Sequence, residues 1–426
     1  MLDRRFLREN ADAVRAAIAQ RHIELDLTPI LEADARLLEL ARERDELKAE
    51  QNKLSKAVPT LQGDEKQAAI ARSKELGASI KPLDEEQTRL ENELATRLLE
   101  VPNMPDDAVP VGADESGNVE ARQEGVKPTF EFEPSDHVDL ATALGLVDFK
   151  RGAAVAGSSF YFLRGDLMRL EQAVLRFALD LVEGRGYLPL NPPVMVNRGA
   201  MEGTGYLPIG ADQAYEMTRD DGWMVGTSEV PITAMHAGEK LPHEDLPLRY
   251  AGLSNCFRRE AGAHGRDTRG LYRVHQFLKV EQVVIAPNDV ELSKKLHAEI
   301  LQNAEDVLQA LGLHYRVMEL CTGDLGRGAA FTYDIETWMP GRGGYGETHS
   351  ASRYYEYQAR RLNLRYRDEN KKVRICHTLN NTVIASPRIL VALLENYQQA
   401  DGTVRVPEVL VPYMNGVEVL RAAKVH

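Results

Sequence analysis

The chain has 426 residues, which exceeds one ordinary domain and predicts two, and its 43% hydrophobic content is enough to bury a sizeable core. Its formal net charge of −13 argues against a protein that coats nucleic acid indiscriminately, because non-specific affinity depends on neutralising many phosphates. No apolar run of membrane-spanning length, no secretory signal at the start and no C-x-x-C pairing of Cys256, Cys321 and Cys376 occurs. We therefore expect a soluble, cytoplasmic protein without membrane contacts or a zinc site.

A long amphipathic helix is predicted after a short helix-like opening. Thr28 is expected as its N-cap and Pro29 as its first residue, and the helical pattern continues to about Val58. Such a stripe requires a partner helix. Apolar residues recur every seven positions along it, at Ala33, Leu40, Leu47, Leu54 and Leu61.

A second helix is predicted to return along the first. The turn lies at 58–64, with Asp64 as the expected cap, and the helix continues to about Leu99 with a bend at Pro82. The two helices predict an antiparallel coiled-coil arm over about 28–100 that projects roughly 45 Å. Taken alone, the arm is more typical of a dimerisation or spacer element than of a nucleic-acid binder.

The rest of the chain predicts a linker and a globular domain. Prolines and acidic residues in 106–129 offer little to pack, so we interpret this segment as a linker between an N-terminal domain, 1–105, and a domain at 130–426. In 130–426, helical patterns alternate with β-rich runs, and two consecutive β runs at 249–285 predict a hairpin. The fold class is therefore α+β, with an antiparallel sheet flanked by helices.

The predicted hairpin carries an unusual row of polar side chains. Its first strand leads into a glycine-punctuated loop that holds Arg266 and Arg269, and its second strand runs from Leu271 to Ile285. A charged row in the middle of a sheet is costly unless a ligand or neighbour compensates it, so it indicates either a nucleotide site or a structural ion-pair ladder. The row comprises Arg258 and Glu260 on the first strand and His275, Phe277, Lys279 and Glu281 on the second.

Three further segments carry weaker signals. Ser386 is expected to cap a helix that begins with Pro387, so that Arg388 lies on a first turn suited to a phosphate, although an exposed arginine is equally compatible. Glu347 and Ser350 follow a glycine-rich turn and could hold a hard cation. The segment 226–229 could receive an ammonium group or could simply begin a helix.

Taken in order, these segments resemble the three signature motifs of class II aminoacyl-tRNA synthetases. The first motif matches 186–195, the second 257–260 with its loop and return strand, and the third the segment that ends in Arg388. Within that class the chain is similar to the seryl-tRNA synthetase family, bacterial type. This similarity rests on Thr-x-Glu at 227–229, Arg-Val-His-Gln-Phe at 273–277, Lys-Val-Glu at 279–281, Leu-Glu-Asn-Tyr-Gln at 394–398 and the N-terminal arm.

The resemblance implies an ATP-dependent, AMP-forming serine–tRNA ligase. It would activate L-serine as seryl-adenylate, release pyrophosphate and transfer serine to tRNA(Ser), and possible charging of tRNA(Sec) stays open. The arm would embrace the tRNA, and the first motif would lie in a homodimer interface. Two alternatives remain: a ligase that loads a carrier protein, which should lack the arm, and an inactive tRNA-binding paralogue, which should lack the catalytic residues.

The resemblance also implies roles for individual residues. Arg258, Glu260 and Arg388 are the expected catalytic groups, and Mg²⁺ is expected on Glu347 and Ser350. The cysteine ligands of a zinc-dependent serine site, known in a divergent branch of the family, find no counterpart around 227–229. Asn381 and Ser386-Pro387 stand where many class II enzymes have glycines. The expected ATP contacts are Arg258, Arg259, Glu260, Val274, Phe277, Glu347, Thr348, His349, Ser350 and Arg388. The expected serine contacts are Thr227, Ser228, Glu229, Arg258, Glu281, Asn380 and Thr382.

Overall fold

The computed structural model of the chain describes residues 1–262 and 269–422. These residues form two compact units. One unit comprises 2–19 and 23–102, and the other comprises the chain from 103 onward together with Met1 and 20–22. Arg266, expected in the loop between the two predicted strands, lies outside the described residues.

The first unit is helical, and its two long helices form the predicted arm. Their inner faces bury leucine and isoleucine, such as Leu37, Leu40, Leu76 and Ile80, whereas Leu54 nearer the tip is only half-buried. The seven-residue repeat therefore marks the seam correctly. The helices of this unit, numbered in chain order, are α1 Arg4–Glu9, α2 Ala11–Gln20, α3 Thr28–Ala57 and α4 Gly63–Leu98.

Both predicted caps of the arm were wrong by a residue or two. Thr28 is the first residue of α3, and its backbone N–H donates to the carboxylate of Asp26 at 2.9 Å. Gln62 occupies the cap position of α4 without a side-chain hydrogen bond, and Asp64 lies in the first turn, where its charge favours the helix dipole. Helix α4 continues through Pro82.

The second unit contains the sheet and the remaining helices. The helices are α5 His137–Ala143, α6 Phe149–Ala156, α7 Asp166–Glu183, α8 Arg198–Thr204, α9 Glu229–Ala234, α10 Val290–Ala310, α11 Tyr357–Arg361 and α12 Arg388–Tyr397. The strands are β1 Val119–Glu124, β2 Val147–Asp148, β3 Phe162–Leu163, β4 Leu188–Leu190, β5 Met195–Asn197, β6 Tyr215–Met217, β7 Gly222–Met224, β8 Lys240–Leu241, β9 Leu248–Phe257, β10 Gln276–Ala286, β11 Tyr315–Glu319, β12 Phe331–Met339, β13 Gly344–Tyr355, β14 Arg365–Arg367, β15 Val373–Ile375, β16 His377–Ala385, β17 Val404–Arg405 and β18 Val419–Leu420.

One large sheet organises this unit. Its eight strands have the order β1-β11-β12-β13-β16-β10-β9-β4, and every neighbouring pair is antiparallel except β4 with β9. Helices α7, α10 and α12 pack on one face, where Val280 and Val284 of β10 join their apolar core. The α+β prediction is confirmed. The opposite face is apolar at Val283 and Ile285 of β10, where α9 and α11 pack, and polar at Lys279 and Glu281.

The segment predicted as a linker, 106–129, contributes a strand to the sheet. Strand β1 pairs with β11 at the sheet edge, and Arg122 forms an ion pair with the buried Glu305. All six residues of β1 are exposed, so the sequence offers no apolar alternation that would predict a strand. The linker interpretation therefore missed an element held by backbone hydrogen bonds and charge rather than by apolar packing.

Candidate active site

The site lies where β9 and β10 begin to separate. Phe257 pairs with Gln276, and the backbone N–H of Arg258 still donates to the carbonyl oxygen of His275 at 3.0 Å. The prediction that Arg258 and Glu260 lie within the first strand was wrong, because β9 ends at Phe257 and Glu260 adopts a left-handed φ of 51°. Glu260 instead turns to form an ion pair with Arg273.

Arg258 and Phe277 nevertheless face each other across the two strands. The guanidinium carbon of Arg258 lies 5.3 Å from the centre of the Phe277 ring. A guanidinium beside an aromatic face provides both a phosphate ligand and a stacking surface for a base.

Lys279 and Glu281 form a buried ion pair on the same strand. Their charged atoms lie 2.5 Å apart, and their side chains are only 5% and 3% exposed. The hydroxyl of Thr382 on the neighbouring strand β16 donates to the same oxygen of Glu281 at 3.2 Å. Lys279 and Glu281 are two residues apart on β10 and so lie on the same face of the sheet, opposite an extra residue of β16 at Val383.

Arg388 opens helix α12, as predicted, but Ser386 does not cap this helix. The Ser386 hydroxyl donates to the buried Glu171, and the cap position belongs to Pro387. Arg388 donates to the carbonyl oxygen of Tyr272 at 3.1 Å and lies 3.1 Å from a carboxylate oxygen of Glu347. A second guanidinium thus faces the same region as Arg258.

Two carboxyl groups and a hydroxyl meet on strands β12 and β13. The register gives β13 an extra residue at Thr348, and Glu347 and Thr348 both line the cleft described below. Asp334 pairs with Ser350 in the register, and its carboxyl is hydrogen-bonded to the Ser350 hydroxyl. Oxygen atoms of this kind are the ligands that magnesium prefers.

The two carboxyl groups have opposite pKa shifts. Burial, followed by the negative charge of Glu347, raises the pKa of Asp334 well above its usual range. Partial burial acts in the same direction on Glu347, whose side chain is 46% exposed, but the charges of Arg388 and Arg258 outweigh it and lower the pKa of Glu347. One oxygen of Asp334 is buried without a hydrogen-bond partner among the described residues, so the group has capacity for a further ligand.

A cleft of about 470 Å³ joins these elements. It brings together most of the residues expected to contact ATP, but Arg259, His349 and Ser350 do not line it. His349 is buried, which lowers its pKa to about 4. The lining residues are Arg258, Glu260, Tyr272, Arg273, Val274, Phe277, Lys279, Glu347, Thr348, Thr382, Ala385, Ser386, Pro387 and Arg388.

The segment 227–229 provides another buried carboxylate. Glu229 is 2% exposed and accepts hydrogen bonds from the Tyr206 hydroxyl at 2.9 Å and from the side-chain amide of Gln358 at 2.6 Å. The Thr227 hydroxyl accepts from the Glu229 backbone N–H at 3.2 Å, so this segment does begin a helix. Burial, followed by the negative charge of Glu281, raises the pKa of Glu229.

The remaining expected serine contacts lie on two elements. Ser228 is buried and its hydroxyl donates to the carbonyl oxygen of Gly252 at 3.3 Å, so it supports the backbone. Asn380 on β16 donates to the Tyr354 hydroxyl at 3.4 Å. The roles assigned to these residues stay predictions.

The chain matches known protein families and individual relatives. A family model described as "Seryl-tRNA synthetase N-terminal domain" matches residues 1–105, and one described as "tRNA synthetase class II core domain (G, H, P, S and T)" matches 215–397. The chain is 49% identical over 420 residues to "Serine--tRNA ligase" of Deinococcus radiodurans, covering 99% of each chain. The chain belongs to the seryl-tRNA synthetase family. The sequence-based family prediction is therefore confirmed.

Other relatives of this family agree along the full length. "Serine--tRNA ligase" of Rubrobacter xylanophilus is 46% identical over 426 residues, which is 100% of each chain. The crystal structure of seryl-tRNA synthetase from Pyrococcus horikoshii complexed with ATP superposes with a TM-score of 0.94 at 40% identity, and it too covers both chains completely. Among the described residues, no helix is long and apolar enough to cross a membrane.

The site contains residues that the sequence analysis did not select. Tyr206 and Gln358 contact Glu229, and Asp334 lies beside Glu347 and Ser350. Only Asp334 had a usable signal, because the glycine-rich turn before Glu347 predicts a hairpin whose strands oppose each other.

Proposed function

We propose that this chain activates L-serine with ATP and transfers it to tRNA(Ser). The observation that carries this proposal is the position of two buried carboxylates, Glu229 and Glu281, beside a cleft that holds two arginines facing a third carboxylate, Glu347. Serine offers an ammonium group to Glu229 and a hydroxyl to Glu281, and the triphosphate of ATP offers anionic oxygens to the arginines.

Activation requires a carboxylate to attack a phosphate, and the two anions repel each other. Arg258 is placed to bind the serine carboxylate and the α-phosphate, and Arg388 to bind the γ-phosphate. A bond forms between the serine carboxylate oxygen and the α-phosphorus, while the bond from that phosphorus to the bridging oxygen breaks and pyrophosphate leaves. The enzyme forms no covalent intermediate, so its contribution is positioning and electrostatics.

The ATP base would lie in the Arg258–Phe277 part of the cleft. Phe277 would stack on the adenine, Arg388 would cover its other face and Glu260 would accept from its amino group. Val274 and Thr348 complete the expected contacts within the cleft.

Serine would be recognised through its two polar groups. Glu229, with Thr227 and Ser228, would bind the ammonium group, while Glu281, Thr382 and Asn380 would bind near the hydroxyl. Alanine would leave Glu281 and Thr382 unpaired in a buried place, and this rejects an analogue that lacks the hydroxyl.

Magnesium fits the carboxylate cluster. Glu347 and Ser350 would hold the ion, and the partnerless oxygen of Asp334 fits a site that needs more oxygen than these two residues supply. When bound, Mg²⁺ neutralises phosphate charge and fixes the geometry of the triphosphate. We expect no zinc.

Transfer completes the reaction. A terminal ribose hydroxyl of the tRNA attacks the carbonyl carbon of seryl-adenylate, and AMP leaves with the bonding electrons. In this proposal the N-terminal domain, 1–105, binds the tRNA, and the segment 106–129 leads into the catalytic domain, 130–426, and adds strand β1 to its sheet. Two copies form a homodimer in the cytoplasm. tRNA(Sec) is an additional substrate to test.

The test is ATP/pyrophosphate exchange with purified full-length chain, Mg²⁺ and single amino acids. Serine should give the fastest exchange by at least about 100-fold over alanine and threonine, since polar and steric selection both act in the pocket. Exchange that is independent of serine, or none with Mg²⁺ supplied, would overturn the proposal.

A further inference from the structure

The two carboxylates of the proposed serine pocket are compensated in different ways. Glu281 has a resident cation, Lys279, at 2.5 Å. Among the described residues, the side chains hydrogen-bonded to Glu229 are the neutral Tyr206 and Gln358. Buried anions need strong hydrogen bonds or a counter-ion, so Glu229 is stabilised as an anion without being neutralised by an ion pair.

This difference matches the groups of serine. Glu281 faces the neutral hydroxyl in the proposed function, and its own charge is paired with that of Lys279. Glu229 faces the ammonium group, and neutral donors leave its full negative charge for that cation.

Gln358 holds Glu229 through a directional chain of hydrogen bonds. It lies on α11, is 1% exposed, and its Nε2 donates to Glu229 at 2.6 Å and to the carbonyl oxygen of Thr204 at 3.1 Å. Both of these groups are acceptors, so the amide nitrogen must face them. The amide oxygen then faces Thr378, whose hydroxyl donates to it at 2.7 Å.

We propose that Gln358, oriented by Thr378, is a positioning residue that fixes the Glu229 carboxylate for the substrate ammonium group. The inference rests on the proposed function of Glu229 and adds residues from α11 and β16 to serine recognition. Each oxygen of Glu229 receives one neutral donor, Gln358 on one and Tyr206 on the other, so the plane of the carboxylate is set before the substrate arrives.

The electrostatics of the pocket make this support necessary. The titratable groups that interact electrostatically with Glu229 are Glu281, Lys279, Tyr206 and Tyr354. Burial and then Glu281 raise the pKa of Glu229, while the hydrogen bonds from Gln358 and Tyr206 oppose that rise. Loss of Gln358 should therefore weaken ammonium binding by misplacing the carboxylate and by favouring its protonated form.

The experiment measures serine and ATP dependence of pyrophosphate exchange in full-length variants. Gln358→Leu should raise KM for serine roughly 10-fold to 100-fold, the range for losing a hydrogen bond to a charged group, with KM for ATP changed less than about 2-fold. Thr378→Val, which only frees the amide to rotate, should raise KM for serine by less and should add nothing to Gln358→Leu. The acid limb of kcat/KM for serine should move to higher pH in Gln358→Leu.

The matched control is Thr233→Val. Thr233 lies on α9, the helix that Glu229 begins, and its hydroxyl is buried without a hydrogen-bond partner among the described residues. This variant removes a buried hydroxyl near Glu229 but leaves the hydrogen bonds between Thr378, Gln358 and Glu229 unchanged. Its KM for serine should therefore stay within about 2-fold of the parent.

Three results would overturn the inference: KM for serine and for ATP rising together, Thr378→Val adding fully to Gln358→Leu, or an unshifted acid limb. If Gln358→Leu does not fold, the nearly isosteric Thr378→Val still tests the inference. A KM for serine in Thr378→Val equal to that in Thr233→Val would show that the hydrogen bonds from Thr378 through Gln358 to Glu229 do not position the carboxylate. A parent enzyme without serine-dependent exchange would instead refute the proposed function itself.

Discussion

The arm and the sheet face carry the same kinds of charged residue in opposite surroundings. On the arm, Arg36 and Glu86 join α3 to α4 at 3.2 Å, with side chains 38% and 35% exposed. On the sheet, Lys279 and Glu281 lie at 2.5 Å, with side chains 5% and 3% exposed. Water solvates the two charges of the exposed pair whether they are in contact or apart, whereas the two charges of the buried pair have lost their hydration.

The difference indicates where charge serves solubility and where it serves binding. Exposed pairs contribute little because solvent and salt screen them. Buried charges persist only where a partner compensates them, and in the proposed site part of that compensation comes from ATP and serine. The sequence alone does not distinguish the buried pair from the exposed one, and burial shows which of the two has lost its water and needs a compensating partner.

The largest effect should follow from removing a sheet arginine. Arg258→Ala should lower serine-dependent pyrophosphate exchange by about 100-fold to 1000-fold, the usual loss for a group that stabilises transition-state charge. Arg42→Ala is the control, because Arg42 is exposed on α3 and its ion-pair partner among the described residues is Glu46. Similar exchange rates in the two variants would break the distinction between the regions.

Breaking the buried pair should reduce stability. Lys279→Met leaves Glu281 buried without its cation, and such losses cost about 3–5 kcal/mol of the free energy of unfolding. Urea unfolding followed by circular dichroism measures the change, and adding Glu281→Gln should recover part of it. A loss below about 1 kcal/mol would mean that this pair behaves like a surface pair.

Acid should destabilise the sheet unit before it affects the arm. Burial lowers the pKa of His297, His349 and His377 to about 4 each. Between about pH 6.5 and pH 4, these imidazoles are protonated in the unfolded chain but not in the folded protein. The free energy of unfolding that is present above pH 6.5 therefore decreases as the pH falls. The loss at pH 5 is roughly 1–2 kcal/mol per histidine.

The arm provides an internal reference for this pH effect, because the segment 23–102 contains no histidine. Hydrogen exchange at pH 7 and pH 5, corrected for intrinsic rates, should show protection falling in β10, β13 and β16 but not in α3 and α4. Equal loss in both regions would contradict the assignment to buried imidazoles.

The smallest effect belongs to the exposed pair. A double-mutant cycle on Arg36 and Glu86, each replaced by alanine, should give a small coupling free energy that declines with salt. Coupling comparable to the loss in Lys279→Met, or insensitive to salt, would show that burial is not what separates the two regions.

The sequence predicted elements whose periodicity reflects burial. The seam of α3 and α4 follows the seven-residue repeat, and the β9–β10 hairpin follows alternation. Strand β1 was missed because none of its side chains is buried, and the caps at Thr28 and Ser386 were misassigned because other groups, Asp26 and Glu171, engage those residues.

The site was predictable only in part for a related reason. Charge patterns and the family resemblance identified Arg258, Glu281 and Arg388, which lie on or beside regular elements. Gln358 and Tyr206 reach Glu229 only through the tertiary fold, and neither carries a charge that marks it in sequence. Side chains that position another residue leave no periodic signal.

In the proposed function the sheet face activates serine while the arm selects the tRNA. The most direct test replaces the tip of the arm, residues 50–77, with a short glycine–asparagine turn that keeps the buried base around Leu37, Leu40, Leu90 and Leu94. Serine-dependent pyrophosphate exchange and tRNA(Ser) charging are then measured on the same preparation. We expect exchange within about 2-fold of the parent and charging reduced by at least about 100-fold, since the phosphate contacts that give affinity are lost. Equal reduction of both steps, or charging that survives the truncation, would contradict this expectation.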